Sequence, residues 1–193
     1  MKEIIITNEF RKARLIPTSR IETTPIAAAD PEWKGRIRSN WWDSESLSSG
    51  KSFKAFGRSE KEYKDFQLLQ EILLSIGGSE TCFPVFEEDM EKILHRGRYY
   101  AGRSKMMKGR PSQCHANSAE LWERNHKDRD VHICTGYALS QDGLWRQHTW
   151  LVHRYDTATQ HRTRIIETTA KRLAYFGFEM TVEEAEEFCL MNF

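Results

Sequence analysis

The sequence predicts an α+β fold in which an antiparallel sheet has a helix packed on one face. Strand-like runs follow one another at residues 131–139, 147–155 and 162–169, separated by short turns. A helix that begins near Cys114 precedes them. Strands joined by short turns pair in antiparallel fashion, because a parallel connection needs a dozen residues or more. We therefore expect a three-stranded meander with the Cys114 helix against it.

The composition suits one globular domain, or one domain with an ordered arm. Hydrophobic residues make up 39% of the 193 residues, and the formal net charge is only +1. That charge gives no indication of a nucleic-acid partner. No apolar run reaches the ~20 residues that a membrane helix needs, and the first residues do not resemble a signal peptide. We therefore expect a cytoplasmic protein with no membrane partner.

The cysteines at positions 82, 114, 134 and 189 are widely spaced along the chain. No C-x-x-C pair occurs, so the spacing predicts neither a disulfide framework nor a zinc ribbon. We expect no metal and no cofactor. Because a single cysteine in a core is usually inert, we assign that role to Cys82, Cys134 and Cys189.

Residues 1–58 differ from the rest of the chain. They are rich in Ser, Thr, Pro and Arg, and they show no sustained hydrophobic period although several Trp and Phe residues occur among them. We interpret this segment as an N-terminal arm that wraps on an α+β domain formed by residues 59–193. Docking of a partner protein is the alternative interpretation.

Two capping boxes mark predicted helix starts. The first is Ser59-Glu60-Lys61-Glu62, followed by apolar residues at helical spacing until Gly77. The second is formed by Thr181 and Glu184, and it predicts a final helix. A shorter helix is predicted over residues 87–95, which end just before a glycine.

A basic stretch runs from Lys92 to Arg110. A loop that binds nucleic acid or an anionic substrate would have this charge. We favour a solvated loop, because acidic residues elsewhere balance the charge and no aromatic ladder accompanies the basic residues. Nucleic acid is therefore an unfavoured partner.

Turn chemistry predicts how the three strands pair. Asp142-Gly143 is typical of a two-residue hairpin turn, and a hairpin centred on it places His148 opposite Tyr137. A four-residue loop over residues 156–159 places His148 opposite Glu167. Directly opposed side chains share a face, with Cβ atoms ~5 Å apart, which suits a hydrogen bond between imidazole and carboxylate. The same register predicts one apolar face made of Val131, Ile133, Thr135, Tyr137, Trp150, Val152, Thr163 and Ile165.

Cys114 completes a possible catalytic group. Ser112 is a plausible N-cap, so Cys114 is expected in the first turn of its helix, where free N–H groups and the helix dipole favour a thiolate. If this helix packs on the apolar face, Cys114 approaches His148, with Glu167 behind it as the group that orients the base. The backbone N–H of Cys114, with Gln113, is positioned to bind an oxyanion.

Four short segments in this order resemble the transglutaminase-like cysteine enzyme superfamily. They are Gln113-Cys114-His115-Ala116-Asn117, Gly136-Tyr137, His148-Thr149-Trp150 and Glu167-Thr168-Thr169. Tyr175-Phe176-Gly177 is similar to a tail in uncharacterised bacterial and phage proteins of this type. The resemblance covers residues 112–178. It departs from the usual pattern at Glu167, where Asp is common, and at Thr149, where Ala is common.

The resemblance implies a transglutaminase-like or papain-like core and a thioester mechanism, in which Cys114 attacks an amide of a protein or peptide. Members of the superfamily hydrolyse, deamidate or cross-link such amides. A chain with this fold and no chemistry, used as a binding module or inhibitor, is the alternative.

Other residues near these motifs have less prominent interpretations. We expect Asn117 and Tyr137 to support the site or to belong to the core, and Thr149 to face outward. His115 should point away from the thiol and serve a structural or substrate-lining role. A metal site of Cys114, His115, Cys134 and His148 is disfavoured, because the predicted register pairs Cys134 with Leu151 and turns it away from His148.

Overall fold

The computed structural model describes residues 15–16, 41–42, 47, 57–101, 103–127 and 130–193. Most of the predicted arm therefore lies outside the described residues. Within the described part, the strands are β1 Leu15–Ile16, β2 Trp41–Trp42, β3 Glu80–Pro84, β4 Arg98–Ala101, β5 Ser104–Met106, β6 Asp130–Leu139, β7 Leu144–Asp156, β8 His161–Glu167 and β9 Ala174–Glu179. The helices are α1 Glu60–Ile76, α2 Met90–Arg96, α3 Cys114–Asn125 and α4 Val182–Asn192.

The predicted fold class is confirmed at the level of a mixed α+β protein with a mostly antiparallel sheet. The described strands form one sheet in the order β1-β4-β9-β6-β7-β3-β2, and β8 and β5 extend it from β7. Parallel pairing occurs between β1 and β4, between β3 and β7, and between β5 and β8. The three predicted strands, β6 to β8, are only the middle of this larger sheet.

Both capping boxes are present. The Ser59 and Thr181 hydroxyls accept hydrogen bonds from the backbone of Glu62 and Glu184, and those glutamates bond back to the cap residues. Gly77 ends α1 as predicted. The short helix α2 begins three residues later than expected, because residues 87–89 form a turn ahead of it. None of the described helices is long and apolar enough to cross a membrane.

The sheet is buried on both faces. On one face, Ala119 and Trp122 of α3 pack in a large cluster with Ile133 and Leu151 of the central strands. A smaller cluster on the other face is formed by Tyr100, Cys134, Ala138, Trp150, Val152, Ile165 and Tyr175. The predicted single apolar face was therefore wrong: alternate residues of β6 and β7 enter two different cores.

The first hairpin differs from its prediction by one residue. His148 pairs with Gly136, and Tyr137 pairs with Gln147. The reason is the turn, which has three residues and not two: the Gly143 N–H donates to Ser140 O at 3.0 Å, and Gly143 has a φ of 79°. A type I turn followed by a left-handed glycine is the common three-residue hairpin loop. A slip of one residue moves every side chain of one strand to the other face, so Tyr137 lies on the face opposite His148.

The second hairpin is displaced by two residues. Asp156 pairs with His161, and the Thr157 N–H donates to Gln160 O at 2.9 Å, so the loop covers 157–160. The ladder ends at the pair Leu151 and Ile166. Glu167 is therefore not directly opposed to His148. A two-residue shift preserves the face, so both side chains still point the same way.

Candidate active site

His148 lies where one edge of β7 changes its partner. Residues 144–146 of this edge pair with β3, and residues 151–156 pair with β8. On this edge of β7, residues 147–150 lie between the two described strand pairings. The start of α3 packs into this interval, and the Ser118 hydroxyl lies 3.5 Å from the Thr149 carbonyl oxygen. The divergence of the two strands thus gives a helix N-terminus access to a side chain in the middle of a buried strand.

A glycine lies opposite the imidazole on the neighbouring strand β6. Gly136 has a φ of 152°, and a Cβ there would lie 2.4 Å from Phe176 O. Gly136 therefore allows β6 and β9 to approach closely. The rings of Trp150 and Tyr175 lie near the imidazole, with centroids 6.5 and 6.3 Å from that of His148.

Glu167 is completely enclosed, and both of its carboxylate oxygens accept several hydrogen bonds. Oε2 accepts from His148 Nε2 at 2.8 Å and from the Tyr175 hydroxyl at 3.1 Å. Oε1 accepts from the backbone N–H groups of Thr168 and Thr169, both at 2.8 Å, and from the Thr169 hydroxyl. Burial raises the pKa of Glu167, but the His148 interactions and these donors outweigh it and bring the pKa to about 2. The carboxylate therefore stays charged.

This arrangement fixes the imidazole tautomer. An ionised carboxylate can only accept, so His148 Nε2 must carry the hydrogen of the 2.8 Å bond. Nδ1 is then the nitrogen available to exchange a proton with another group. Sequence reasoning selected His148 and Glu167, but it missed Tyr175 as a partner of the carboxylate, since Tyr175 lies on a strand that was not predicted.

Cys114 lies in the first turn of α3, as predicted, and is its first residue, but the helix is not capped as predicted. Gln113 occupies the N-cap position without a side-chain hydrogen bond to the helix, and Ser112 lies outside with a φ of 58°. The first N–H groups of a helix have no partner within the helix. The Gln113 side chain does not cap these N–H groups, and it is exposed at the surface.

The Cys114 thiol interacts with two imidazoles. Burial raises its pKa, but hydrogen bonds and positive charge from His115 and His148 outweigh burial and lower the pKa to about 5. In turn, burial lowers the pKa of His148, whereas hydrogen bonds and charge from Cys114 and Glu167 raise it above its ordinary value. The opposite shifts favour a thiolate–imidazolium pair near neutral pH.

His115 does not point away from the thiol, contrary to the prediction. Its Nδ1 lies 3.4 Å from Cys114 Sγ, and its ring packs 5.7 Å from the Phe188 ring of α4. The helical position alone suggested separation, because adjacent helical residues project about 100° apart.

Asn117 fastens the segment before α3. Its Oδ1 accepts from the Arg110 N–H at 3.0 Å, and its Nδ2 donates to Arg110 O at 2.8 Å. Gly109 permits this contact, since a Cβ there would lie 2.4 Å from the Asn117 amide carbon. The same segment is tied to the end of β8, because Gly109 N donates to Thr168 O at 2.8 Å. Asn117 thus positions α3 relative to the strand that ends in Glu167.

The register of the first hairpin changes the facing of Tyr137 and Cys134, although Tyr137 belongs to the core as expected. Thr149 does not face outward as expected, because both faces of the sheet are buried. Tyr137 lies away from His148, and its hydroxyl bonds Glu87 at 2.6 Å. Thr149 is fully buried on the helix side, where its hydroxyl lies 3.2 Å from that of Thr135. Cys134 pairs with Trp150, not Leu151, so it shares the face of His148.

The other cysteines and the basic stretch have ordinary surroundings. Cys82, Cys134 and Cys189 are buried, as expected. The basic stretch is not one loop, because it includes most of α2 and all of β4 and β5. Arg96 and Lys92 form ion pairs with Glu184, and Arg110 pairs with Glu120. Among the described residues, no group of three His, Cys, Asp or Glu side chains is arranged to bind a metal ion.

No protein-family model matches the chain, and comparisons with curated proteins and with solved structures found no match either. The likeness to transglutaminase-like enzymes therefore remains a resemblance of short motifs.

Proposed function

We propose that the protein is a cysteine-dependent amide hydrolase or acyltransferase that acts on a protein or peptide through a thioester on Cys114. One observation supports this most directly: the Cys114 thiol interacts with His148, whose Nε2 lies 2.8 Å from the buried Glu167 carboxylate. A nucleophile, a base and a group that orients the base are the parts that acyl transfer requires.

The residues have separate roles in the proposed reaction. The Cys114 thiolate attacks the amide carbonyl carbon and forms a C–S bond, while the carbonyl oxygen becomes an oxyanion. N–H groups in the first turn of α3 stabilise that oxyanion. His148 Nδ1 then gives its proton to the amine as the C–N bond breaks, and a thioester remains.

The second half-reaction regenerates the enzyme. Water or an amine approaches the thioester, and neutral His148 takes its proton. The new bond to the carbonyl carbon forms as the C–S bond breaks, and Cys114 leaves as a thiolate. Throughout both steps Glu167 stays ionised and stabilises the imidazolium. Hydrolysis, deamidation and cross-linking share these steps and differ only in the amide attacked and in the acceptor.

The test is intact-mass detection of an acyl adduct after the protein is incubated with cell extract. We expect an adduct on Cys114, its loss in Cys114→Ala and its retention in Cys189→Ala, which removes a buried thiol outside the site. Turnover of peptide amides should likewise disappear in Cys114→Ala. A well-folded protein with no adduct and no turnover would favour the alternative, a binding module or inhibitor. Full activity of Cys114→Ala on any substrate would contradict the proposal.

A further inference from the structure

A second imidazole lies next to Cys114, and the mechanism above does not use it. His115 Nδ1 is 3.4 Å from the thiol sulfur. The ring packs at 5.7 Å from Phe188, so a residue of α4 helps to keep it beside the thiol. His115 is only partly buried. Its replacement should therefore disturb the fold less than replacement of the buried His148.

His115 also affects the ionisation of the thiol. On Cys114, the hydrogen bond from His115 is the largest effect that opposes burial, ahead of the one from His148.

We infer that His115 is a second catalytic imidazole that stabilises the Cys114 thiolate. Two imidazoles, His148 and His115, then flank one sulfur atom. His148 exchanges protons with substrate and product, whereas His115 maintains the thiolate between turnovers. The inference rests on the proposed function, because it concerns the same nucleophile.

The charged and titratable groups around this centre come from several elements. Besides the sulfur itself they are His148 of β7, Glu167 of β8, Tyr137 of β6, and Glu87 and Asp89 of the turn before α2. A test must therefore separate the contribution of His115 from that of His148.

The experiment measures the rate of alkylation of Cys114 by iodoacetamide between pH 4 and 10, read by intact mass, which gives the midpoint of thiol ionisation. The variants are His115→Gln, His148→Ala and the double variant, with His95→Gln as a control at an exposed position of α2. Near-ultraviolet absorbance of the thiolate provides a second readout. Circular dichroism establishes that each variant is folded.

We expect His115→Gln to raise the midpoint by about one to two pH units, the equivalent of one charge-assisted hydrogen bond. His148→Ala should also raise it, yet leave it below the ~8.5 of an ordinary thiol, which only the double variant should reach. His95→Gln should leave it unchanged. The inference about His115 is overturned if His115→Gln leaves the midpoint where it is, a result that remains decisive even if His148→Ala fails to fold.

Failure of this inference can be told from failure of the proposed function. Suppose that the midpoint of Cys114 ionisation is low and depends on His115, but the protein forms no acyl adduct and shows no turnover. This result would support the inference and contradict the proposed enzymatic function. Turnover that depends on Cys114, together with a midpoint that does not change in His115→Gln, would support the proposed function and contradict the inference.

Discussion

The Nε2 atom of His148 lies 2.8 Å from Oε2 of Glu167, and the two residues belong to different strands, β7 and β8, at a place where the ladder between those strands has already ended. The interaction is therefore made by the side chains alone, across a diagonal. Four further contacts from Tyr175, Thr168 and Thr169 fix the carboxylate. This rigidity leaves the imidazole one orientation, with Nδ1 directed away from the carboxylate.

Glu167→Gln should reduce turnover by about 10²–10⁴-fold, the range associated with a general base and its partners. An amide has one oxygen, which the Thr168 and Thr169 N–H groups will attract, so its NH₂ group will face His148 and favour the wrong tautomer. The measurement is kcat/KM on any substrate identified by the acyl-adduct assay. Tyr175→Phe, which removes the 3.1 Å bond to Glu167 but leaves the carboxylate in place, should be milder, and equal losses in both variants would contradict this account of the tautomer.

The reactivity of Cys114 should depend on pH in two distinct ways. Alkylation needs only the thiolate, so its rate should rise through about pH 5 and then stay high. Turnover also needs the imidazolium, so it should rise with the thiolate and fall above the raised pKa of His148. Burial raises the pKa of Cys189 to about 11, which makes that thiol a suitable internal control. A midpoint for Cys114 near 8.5, the value of a free thiol, would contradict the ion pair.

Glu87 should make the free energy of unfolding depend on pH. Its pKa is raised from 4.5 to about 7 by burial, so the folded state binds a proton that the unfolded state has lost. This proton stabilises the folded state; the stabilisation is fully present below pH 4.5 and is lost as the pH rises through about 7. Urea unfolding at several pH values should show the stability of wild type falling relative to Glu87→Gln over this range. Glu88→Gln should run parallel to wild type; a constant difference for Glu87→Gln would exclude a buried titrating carboxyl.

Gly136→Ala should destabilise the protein strongly. Its φ of 152° is unfavourable for alanine, and the new Cβ would overlap Phe176 O and the Gly177 Cα. Gly57→Ala is the matched control, because Gly57 also has a positive φ, 66°, but a methyl group there would have nothing within 4 Å. Backbone strain alone costs on the order of 1–3 kcal/mol, so the excess for Gly136→Ala measures the close approach of β6 and β9. Similar losses in both variants would show that strain alone is decisive.

Trp42→Ala should lower stability without changing the chemistry of Cys114. Trp42 is 3% exposed, pairs with Phe83 in β3 and packs 5.0 Å from the Phe66 ring. Loss of a buried Trp costs about 3–5 kcal/mol, measurable by thermal or urea unfolding.

Removal of residues 1–58 should likewise reduce stability and leave thiol labelling intact in any folded product. Loss of labelling in a folded variant would indicate that the N-terminal segment helps to build the site.

Local features of the fold could be predicted from the sequence because they depend on neighbouring residues. The capping boxes at Ser59 and Thr181 form from residues three positions apart. Composition and turns predicted strands at 131–139, 147–155 and 162–169, which the structure has at 130–139, 144–156 and 161–167. The same local signals selected Cys114 at a helix start. His148 and Glu167 were selected with the correct relative face, because the error in their hairpin was two residues, an even number.

The tertiary structure decided what local signals left open. Asp142-Gly143 suits both a two-residue and a three-residue turn, and only the packing of Tyr137 on one face and Trp150 on the other selects the longer one. Strands β3, β5 and β9 are stabilised by partners far away in the chain, so their short sequences carry little signal of their own. The contact of His115 with Phe188 depends on how α3 meets α4, and that of Glu87 with Tyr137 depends on how the turn before α2 meets the sheet. The sequence by itself determined which residues are suited to the chemistry. The packing of distant segments determined which of these residues meet, because contacts between segments far apart in the chain form only when the whole core assembles.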